Sequence, residues 1–257
     1  MSAKDIFQNL LLRIDLVELG KTNQTMDLYN WKSVAIKLLK MGDVAAISNY
    51  IATQAVKVCE QDDSRIFYHL DRTLLEVLRI VVAGAGLTTA WPIIGKALLA
   101  EEWRTRFYME TLLTGGIPEP GQSKGIYRDI SETFLLEWCE SEPGAPESVA
   151  LLFPVIVPST IHENVKSSWS ISKPIQTLID KFGTEPNVLD AISKNMGTFI
   201  SRGSQQPIYA AKIQALETLT AHKHAAVRNW AEAQVAAARA ILEKVKKKDE
   251  EHDAGIY

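Results

Sequence analysis

The sequence predicts an all-α protein, and two observations carry the prediction. Apolar residues recur at intervals of three and four over long stretches, which is the pattern of an amphipathic helix with one buried face. Alternating apolar and polar residues bounded by hairpin signals form no convincing series along the 257 residues. The apolar run VALLFPVIVP (149–158) is the stretch whose composition would also suit a strand.

The helical pattern continues along the N-terminal half. DLYNWKSVAIKLLKMG (27–42) predicts a helix that ends at Gly42, and HLDRTLLEVLRIVV (69–82) predicts another. IVVAGAGLTTAWPIIG (80–95) is uncharged, but it is too short for a membrane span and contains Pro92, so we expect two buried helices joined at AGAG. GKALLAEEWRTRFYMETLL (95–113) predicts one further helix.

Loop composition divides the chain. GGIPEPGQSKG (115–125) has the densest glycine and proline content and is expected to follow divergent helical pairs in residues 1–114. Three units of two helices are expected in 126–243, and a charged C-terminal tail in 244–257. We expect these parts to form one continuous domain.

A 39-residue interval recurs in the C-terminal half. Three places share an amphipathic helix, a short polar turn and a valine that opens the next helix, and the valines are Val149, Val188 and Val227. A period of about 40 residues with two helices per unit is typical of HEAT-type arrays. Such a pair cannot cover its own apolar face, so successive pairs stack and bury these faces together.

The last unit carries the clearest family resemblance. HKHAAVRNWAEAQVAAARAIL (222–242) resembles the turn and second helix of a HEAT repeat, with Arg228 at the position of the turn arginine. Leu189 and Ala150 stand at that position in the other two units, so a regular arginine ladder is absent. The resemblance covers 127–243, is clearest in 208–243, and implies a HEAT-like solenoid of stacked antiparallel helix pairs. VRNWAEAQV and the charged tail also resemble helical proteins associated with bacterial defence and toxin immunity.

Charge and cysteine content limit the function classes. The net charge is −3, and residues 131–257 hold 13 Lys/Arg against 16 Asp/Glu, so we do not expect binding to nucleic acid. Cys59 and Cys139 are too few for a disulfide framework, and we expect free thiols in the cytoplasm, with one bridge between them as the alternative. The N-terminus lacks the uninterrupted apolar stretch of a signal peptide, and no membrane span is expected.

Motifs for metals and cofactors are incomplete. His222 and His224 have no third ligand near them in sequence and are expected to be a solvated pair. IHENVK carries Lys166 where a zinc-protease motif needs its second histidine, and the GAG and GK stretches lack the remaining residues of phosphate-binding loops. We therefore expect no catalytic residue, no cofactor and no metal.

Two groups of residues are candidates for binding a partner. The segment 132–147 contains no Lys or Arg, and its glutamates form either a solvated surface or a docking patch for a basic partner. The second group would lie on the second helix of each repeat. The candidates are Glu132, Glu137, Glu140, Glu142 and Glu147 in the first group, and Asp190, Lys194, Asn195, Arg228, Asn229 and Glu232 in the second.

The function expected from these features is non-enzymatic protein binding by a helical-repeat surface. More specifically, the resemblance and the acidic charge suit a bacterial immunity protein that binds and neutralises a basic toxin domain. Two alternatives stay open. One is a HEAT-like enzyme of the DNA glycosylase type, which would need a basic groove. The other is a regulatory scaffold subunit of a larger complex.

Overall fold

The computed structural model describes residues 2–22, 25–41, 43–115, 125–158, 169–196 and 204–253. Within these ranges the protein is mostly helical, with thirteen α-helices, one 3₁₀ helix and one two-stranded sheet, which confirms the predicted α class. The chain forms two compact units, Met1–Ala145 and Pro146–Tyr257.

The first unit contains seven helices, a 3₁₀ helix and an eighth helix. Their bounds are α1 Ala3–Leu11, α2 Leu16–Lys21, α3 Thr25–Met41, α4 Val44–Cys59, α5 Ser64–Val82, α6 Leu87–Leu98, α7 Trp103–Thr114, the 3₁₀ helix Ile126–Asp129 and α8 Glu132–Ser141. Helix α4 is central and packs against α2, α3, α5, α6 and α7. Ile47, Ile51, Ala52 and Ala55 on α4 are fully buried, and the small alanines let neighbouring helices approach closely.

The uncharged stretch 80–95 has the predicted form of two helices. Helix α5 ends at Val82 and α6 begins at Leu87, and Leu87 and Ile94 are buried. A Cβ on Gly86 would lie 2.2 Å from the Ser48 Oγ, so the connecting turn needs a glycine to lie against α4. In the described part of the chain, no helix is both long enough and apolar enough to cross a membrane.

The prediction of one helix over 95–113 is wrong. Helix α6 ends at Leu98, and α7 begins at Trp103. The Glu102 side chain caps α7 by accepting hydrogen bonds from the Thr105 N at 2.6 Å and the Arg104 N at 3.1 Å. The Thr105 backbone N–H is the main cause that lowers the pKa of Glu102. Capping by a glutamate escaped the sequence pattern because glutamate also favours helix interiors.

The second unit contains α9 Ala145–Leu152, β1 Ile156–Pro158, β2 Trp169–Ile171, α10 Lys173–Phe182, α11 Pro186–Met196, α12 Gln206–Glu217 and α13 Ala225–Asp253. The run VALLFPVIVP is therefore helical up to Leu152 and extended from Ile156, on either side of Pro154. Strand β1 pairs antiparallel with β2, with Ile156 opposite Ile171, and β2 packs on α12.

The three spaced valines are all buried near the start of a helix. Val149, Val188 and Val227 each lie in the first turns of their helix and are at most 2 % exposed. Helix α13 continues to Asp253, so residues 244–253 are helical. Gln206 at the start of α12 donates to Asp249 at 2.8 Å, and Arg239 bonds Glu217 at the end of α12 at 2.6 Å. Helix α12 therefore runs antiparallel to the C-terminal part of α13.

Candidate binding surfaces

The α8 glutamates form an acidic end on the first unit. Glu137, Glu140 and Glu142 are exposed, and they occupy the last turns of α8 and its C-terminal cap. No basic residue lies in the last turn. The C-terminal end of a helix carries partial negative charge, and a carboxylate there costs about 0.3–1 kcal/mol. The carboxylates of the three glutamates therefore repel one another and interact unfavourably with the helix dipole.

The other two predicted glutamates do not belong to this helix end. Glu132 is half-buried in the first turn of α8, where the helix dipole favours a carboxylate. Glu147 is half-buried in the first turn of α9 and belongs to the second compact unit. The structure therefore does not place all five glutamates on one helix.

Aromatic packing fixes α8 within the first unit. The Trp138 ring lies edge-on to the Trp91 ring at 5.1 Å, and a Cβ on Gly95 would lie 3.1 Å from the Trp138 ring. Leu135 and Cys139 of α8 are buried at 1 % and 5 % exposure. The acidic end is consequently carried on a helix whose opposite face is held in the core.

Helix α11 carries three of the predicted partner-binding residues. Asp190 and Lys194 are exposed and lie one turn apart. Asn195 is half-buried, and its Nδ2 donates to the carbonyl oxygens of Ala150 at 2.9 Å and Phe153 at 2.7 Å. The Asn195 amide therefore satisfies carbonyl groups at the end of α9, which is a structural task.

Helix α13 carries the other three predicted partner-binding residues of the second group. Asn229 and Glu232 are exposed. The Arg228 Nη1 donates to the carbonyl oxygens of His222 at 2.8 Å and Lys223 at 3.0 Å, and so it closes the turn before α13.

Helices α11 and α13 are bonded to each other through polar side chains. The Trp230 Nε1 donates to the Ser193 Oγ at 2.9 Å, and the Gln234 Nε2 donates to the same oxygen at 3.2 Å. These bonds hold α11 and α13 against each other. These two hydrogen bonds join residues that are 37 and 41 positions apart in the chain, so no local sequence pattern predicts them.

The expectation that His222 and His224 are a solvated pair is wrong for His222. The His222 side chain is 8 % exposed, and its Nε2 lies 2.9 Å from the Asp180 Oδ1. Its Nδ1 accepts the His224 backbone N–H at 3.2 Å, so the proton of the neutral ring resides on Nε2 and is donated to Asp180. Lys166 of the IHENVK stretch lies outside the described residues. Among the residues that are described, no group of three potential ligands could hold a metal ion.

No family model matches the chain, and no curated protein is significantly similar to it.

Both cysteines are buried, and no disulfide joins them. Burial raises the pKa of the Cys59 thiol far above its ordinary value, which keeps this sulfur protonated.

An aromatic patch that the sequence analysis did not single out lies on α5 and α7. Tyr68, Trp103 and Phe107 are 59 %, 61 % and 46 % exposed, and Trp103 and Phe107 lie one turn apart. Two arginines near them are paired with acids, since Arg104 bonds Asp62 and Arg65 bonds Asp63 at 2.7 Å. The patch is therefore accompanied by mixed charge, whereas a phosphate-binding groove needs excess positive charge.

Proposed function

We propose that this chain is a non-enzymatic protein-binding protein that docks a basic partner on the acidic end of α8. The observation that supports this proposal is the position of Glu137, Glu140 and Glu142 at the C-terminal end of a helix whose last turn has no basic residue. Lysine or arginine side chains of a partner would relieve both the mutual repulsion and the opposition to the helix dipole.

The more specific form of the proposal is a bacterial immunity protein that neutralises a basic toxin domain. An acidic docking surface steers a basic partner to its site and raises the association rate, which suits the rapid capture of a toxin. The exposed position of the three carboxylates predicts that this association weakens as salt is added.

We further propose that the second unit is built from HEAT-like helix pairs. In support, Val188 and Val227 stand 39 positions apart and are each buried near the start of the second helix of a pair. Arg228 also bonds the carbonyl oxygens of the preceding turn. The exposed residues Asp190, Lys194, Asn229 and Glu232 would contact a partner on these helices, independently of the α8 end.

The experiment compares three forms of the chain as bait in an extract of the source organism. The test variant is Glu137→Lys/Glu140→Lys/Glu142→Lys. The control variant reverses three exposed acids outside α8, Glu101→Lys/Glu185→Lys/Glu250→Lys, so that both variants have the same net charge. Retained proteins are quantified by mass spectrometry, and association rates are measured on the purified partner.

The proposal expects one basic protein to be retained by the wild type and by the control variant, and lost from the α8 variant. The α8 variant should associate at least about tenfold more slowly at low salt, and its rate should depend less on salt. Equal rates for the α8 variant and the wild type would reject the α8 end as the docking surface. Retention of no protein by any bait at moderate salt would contradict the proposed function, and retention of nucleic acid alone would favour the DNA-acting alternative.

A further inference from the structure

A second surface, in the first unit, is an apolar groove between α1 and α3 with a volume of about 320 Å³. Each of these two segments lines it with residues at positions i, i+3, i+4 and i+7, which is the spacing of one helix face. The lining residues are Phe7, Leu10, Leu11 and Ile14 from α1 and the turn after it, Asp27, Asn30, Trp31 and Val34 from α3, and Leu19 from α2.

The two segments run antiparallel along the groove. At one end, the Tyr50 Oη donates to the Ile14 carbonyl oxygen at 2.8 Å and accepts from the Trp31 Nε1 at 3.1 Å, which brings Ile14 and Trp31 together. At the other end, the Asp43 N donates to the Gln8 Oε1 at 3.5 Å. Asp27 consequently lies at the end of the groove near Ile14.

The groove has a buried floor and exposed apolar walls. Leu11 and Trp31 form the floor at 1 % and 2 % exposure, whereas Phe7 and Leu10 are 53 % and 55 % exposed. Further large apolar side chains are exposed on the same two helices, namely Ile6, Met26, Tyr29 and Met41. Phe7 and Leu10 lie one turn apart on one helix face, and exposed apolar surface along a groove is typical of an interaction site.

Asp27 gives the groove a defined chemistry. It is the one charged residue among the described residues that line the groove, and its side chain is half-buried. In the described ranges, neither an ion pair nor a hydrogen bond engages its carboxylate. Asn30, one turn further along α3, also lines the groove with an amide that makes no side-chain hydrogen bond to described residues. A carboxylate that faces apolar surface and lacks a partner is complementary to a cation on whatever fills the groove.

From this geometry we propose that the groove binds an amphipathic helix of another protein, with a lysine or arginine of that helix paired with Asp27. Two antiparallel helix faces form a trough in which the ridge of a third helix packs, and apolar anchors at i, i+3, i+4 and i+7 would fill it. This site goes beyond the docking of a basic partner on α8, because it uses different residues and recognises an apolar helix face with a single charge.

The probes are two fluorescent amphipathic peptides of about 18 residues, a length that permits an isolated helix. Both carry leucines at the four anchor positions and alanine and glutamine elsewhere. One has a lysine beside the first anchor, and the other has a glutamate in its place. Binding is measured by fluorescence polarisation with the full chain.

The variants are Phe7→Ser, Asp27→Lys and, as a matched control, Phe107→Ser, since Phe107 is an exposed phenylalanine at 46 % on a different surface. Phe7 is 53 % exposed, so its replacement is not expected to unfold the chain. Circular dichroism and urea unfolding check that each variant is folded.

The proposal expects the wild type to prefer the lysine peptide over the glutamate peptide by about threefold to fivefold, as for a partly exposed ion pair. Asp27→Lys should invert that preference, Phe7→Ser should weaken both peptides by about tenfold or more, and Phe107→Ser should change neither. Absence of binding at 1 mM peptide, a preference that Asp27→Lys leaves unchanged, or equal effects of the two serine variants would overturn the proposal.

Two other occupants are distinguished in the same series. Sedimentation equilibrium of the wild type and of Phe7→Ser detects a second copy of this chain in the groove, and a dimer abolished by Phe7→Ser would overturn the proposal. Flotation with phosphatidylcholine–phosphatidylglycerol vesicles tests a lipid surface, and binding lost in Phe7→Ser would also overturn it. Loss of the α8 interaction in the charge-reversal variant, with peptide binding retained, would separate the two sites.

Discussion

Replacement of Asn195 by alanine is expected to destabilise the protein more than a surface substitution would. Its Nδ2 donates to the carbonyl oxygens of Ala150 at 2.9 Å and Phe153 at 2.7 Å, with a longer contact of 3.3 Å to that of Leu151. Ala150 and Phe153 are 0 % and 8 % exposed, so water cannot readily replace both lost donors. Each lost hydrogen bond costs about 1 kcal/mol, and a carbonyl left unsatisfied adds a further cost. Asn195→Ala should therefore lower the free energy of unfolding by about 2–3 kcal/mol.

The assay is urea unfolding of Asn195→Ala, with Asn229→Ala as the control, because Asn229 is exposed on α13. The control should stay within about 0.5 kcal/mol of the wild type. Asn195→Asp should be less stable than Asn195→Ala, since its carboxylate would face carbonyl oxygens. A loss below about 0.5 kcal/mol for Asn195→Ala would refute the capping role. Below the unfolding transition, partner affinity should be unchanged, whereas a direct contact would weaken it.

Three other predictions concern the packing of each unit. Burial raises the pKa of Tyr50 to about 12, whereas a tyrosine in the unfolded chain has an ordinary pKa near 10. The unfolded chain therefore loses the phenol proton first, and the free energy of unfolding falls as pH rises from about 10 to about 12. Urea titrations should show this loss, of about 2–3 kcal/mol, in the wild type and not in Tyr50→Phe. Gly183→Ala should lower the free energy of unfolding in urea by about 1–3 kcal/mol, because its Cβ would lie 2.4 Å from the Ile179 carbonyl oxygen and 2.7 Å from Val227. A loss no larger than that of Thr184→Ala, at an exposed position, would contradict this prediction. Nitrogen-15 NMR at neutral pH should show the Nε2–H tautomer of His222, and the Nδ1–H form would contradict the bond from His224.

Helix identity could be predicted from the sequence because it depends on local periodicity. The faces of α3 and α5 follow from spacing alone, and Leu28, Trp31, Leu74 and Leu78 are buried as that spacing predicts. The break between α6 and α7 depends on one side-chain cap by Glu102, which has no periodic signal.

The roles of individual polar residues could not be predicted, since their partners are distant in the sequence. Asn195 is a polar residue of the kind expected at a surface contact. Its amide instead donates to carbonyl oxygens of α9 and the turn after it, more than 40 positions earlier in the chain. His222 likewise bonds Asp180 from 42 positions away. By contrast, the exposure of Glu137, Glu140 and Glu142 agrees with their expected place on a solvated helix end, because a charged segment without apolar residues on that face cannot be buried without partners.

The association rate of the basic partner with the Glu137→Lys/Glu140→Lys/Glu142→Lys variant tests the proposed docking on α8 most directly. Measured at low and at moderate salt beside the equally charged control variant, it should fall at least about tenfold at low salt and lose most of its salt dependence. An unchanged rate and an unchanged salt dependence would contradict the proposed role of these three glutamates.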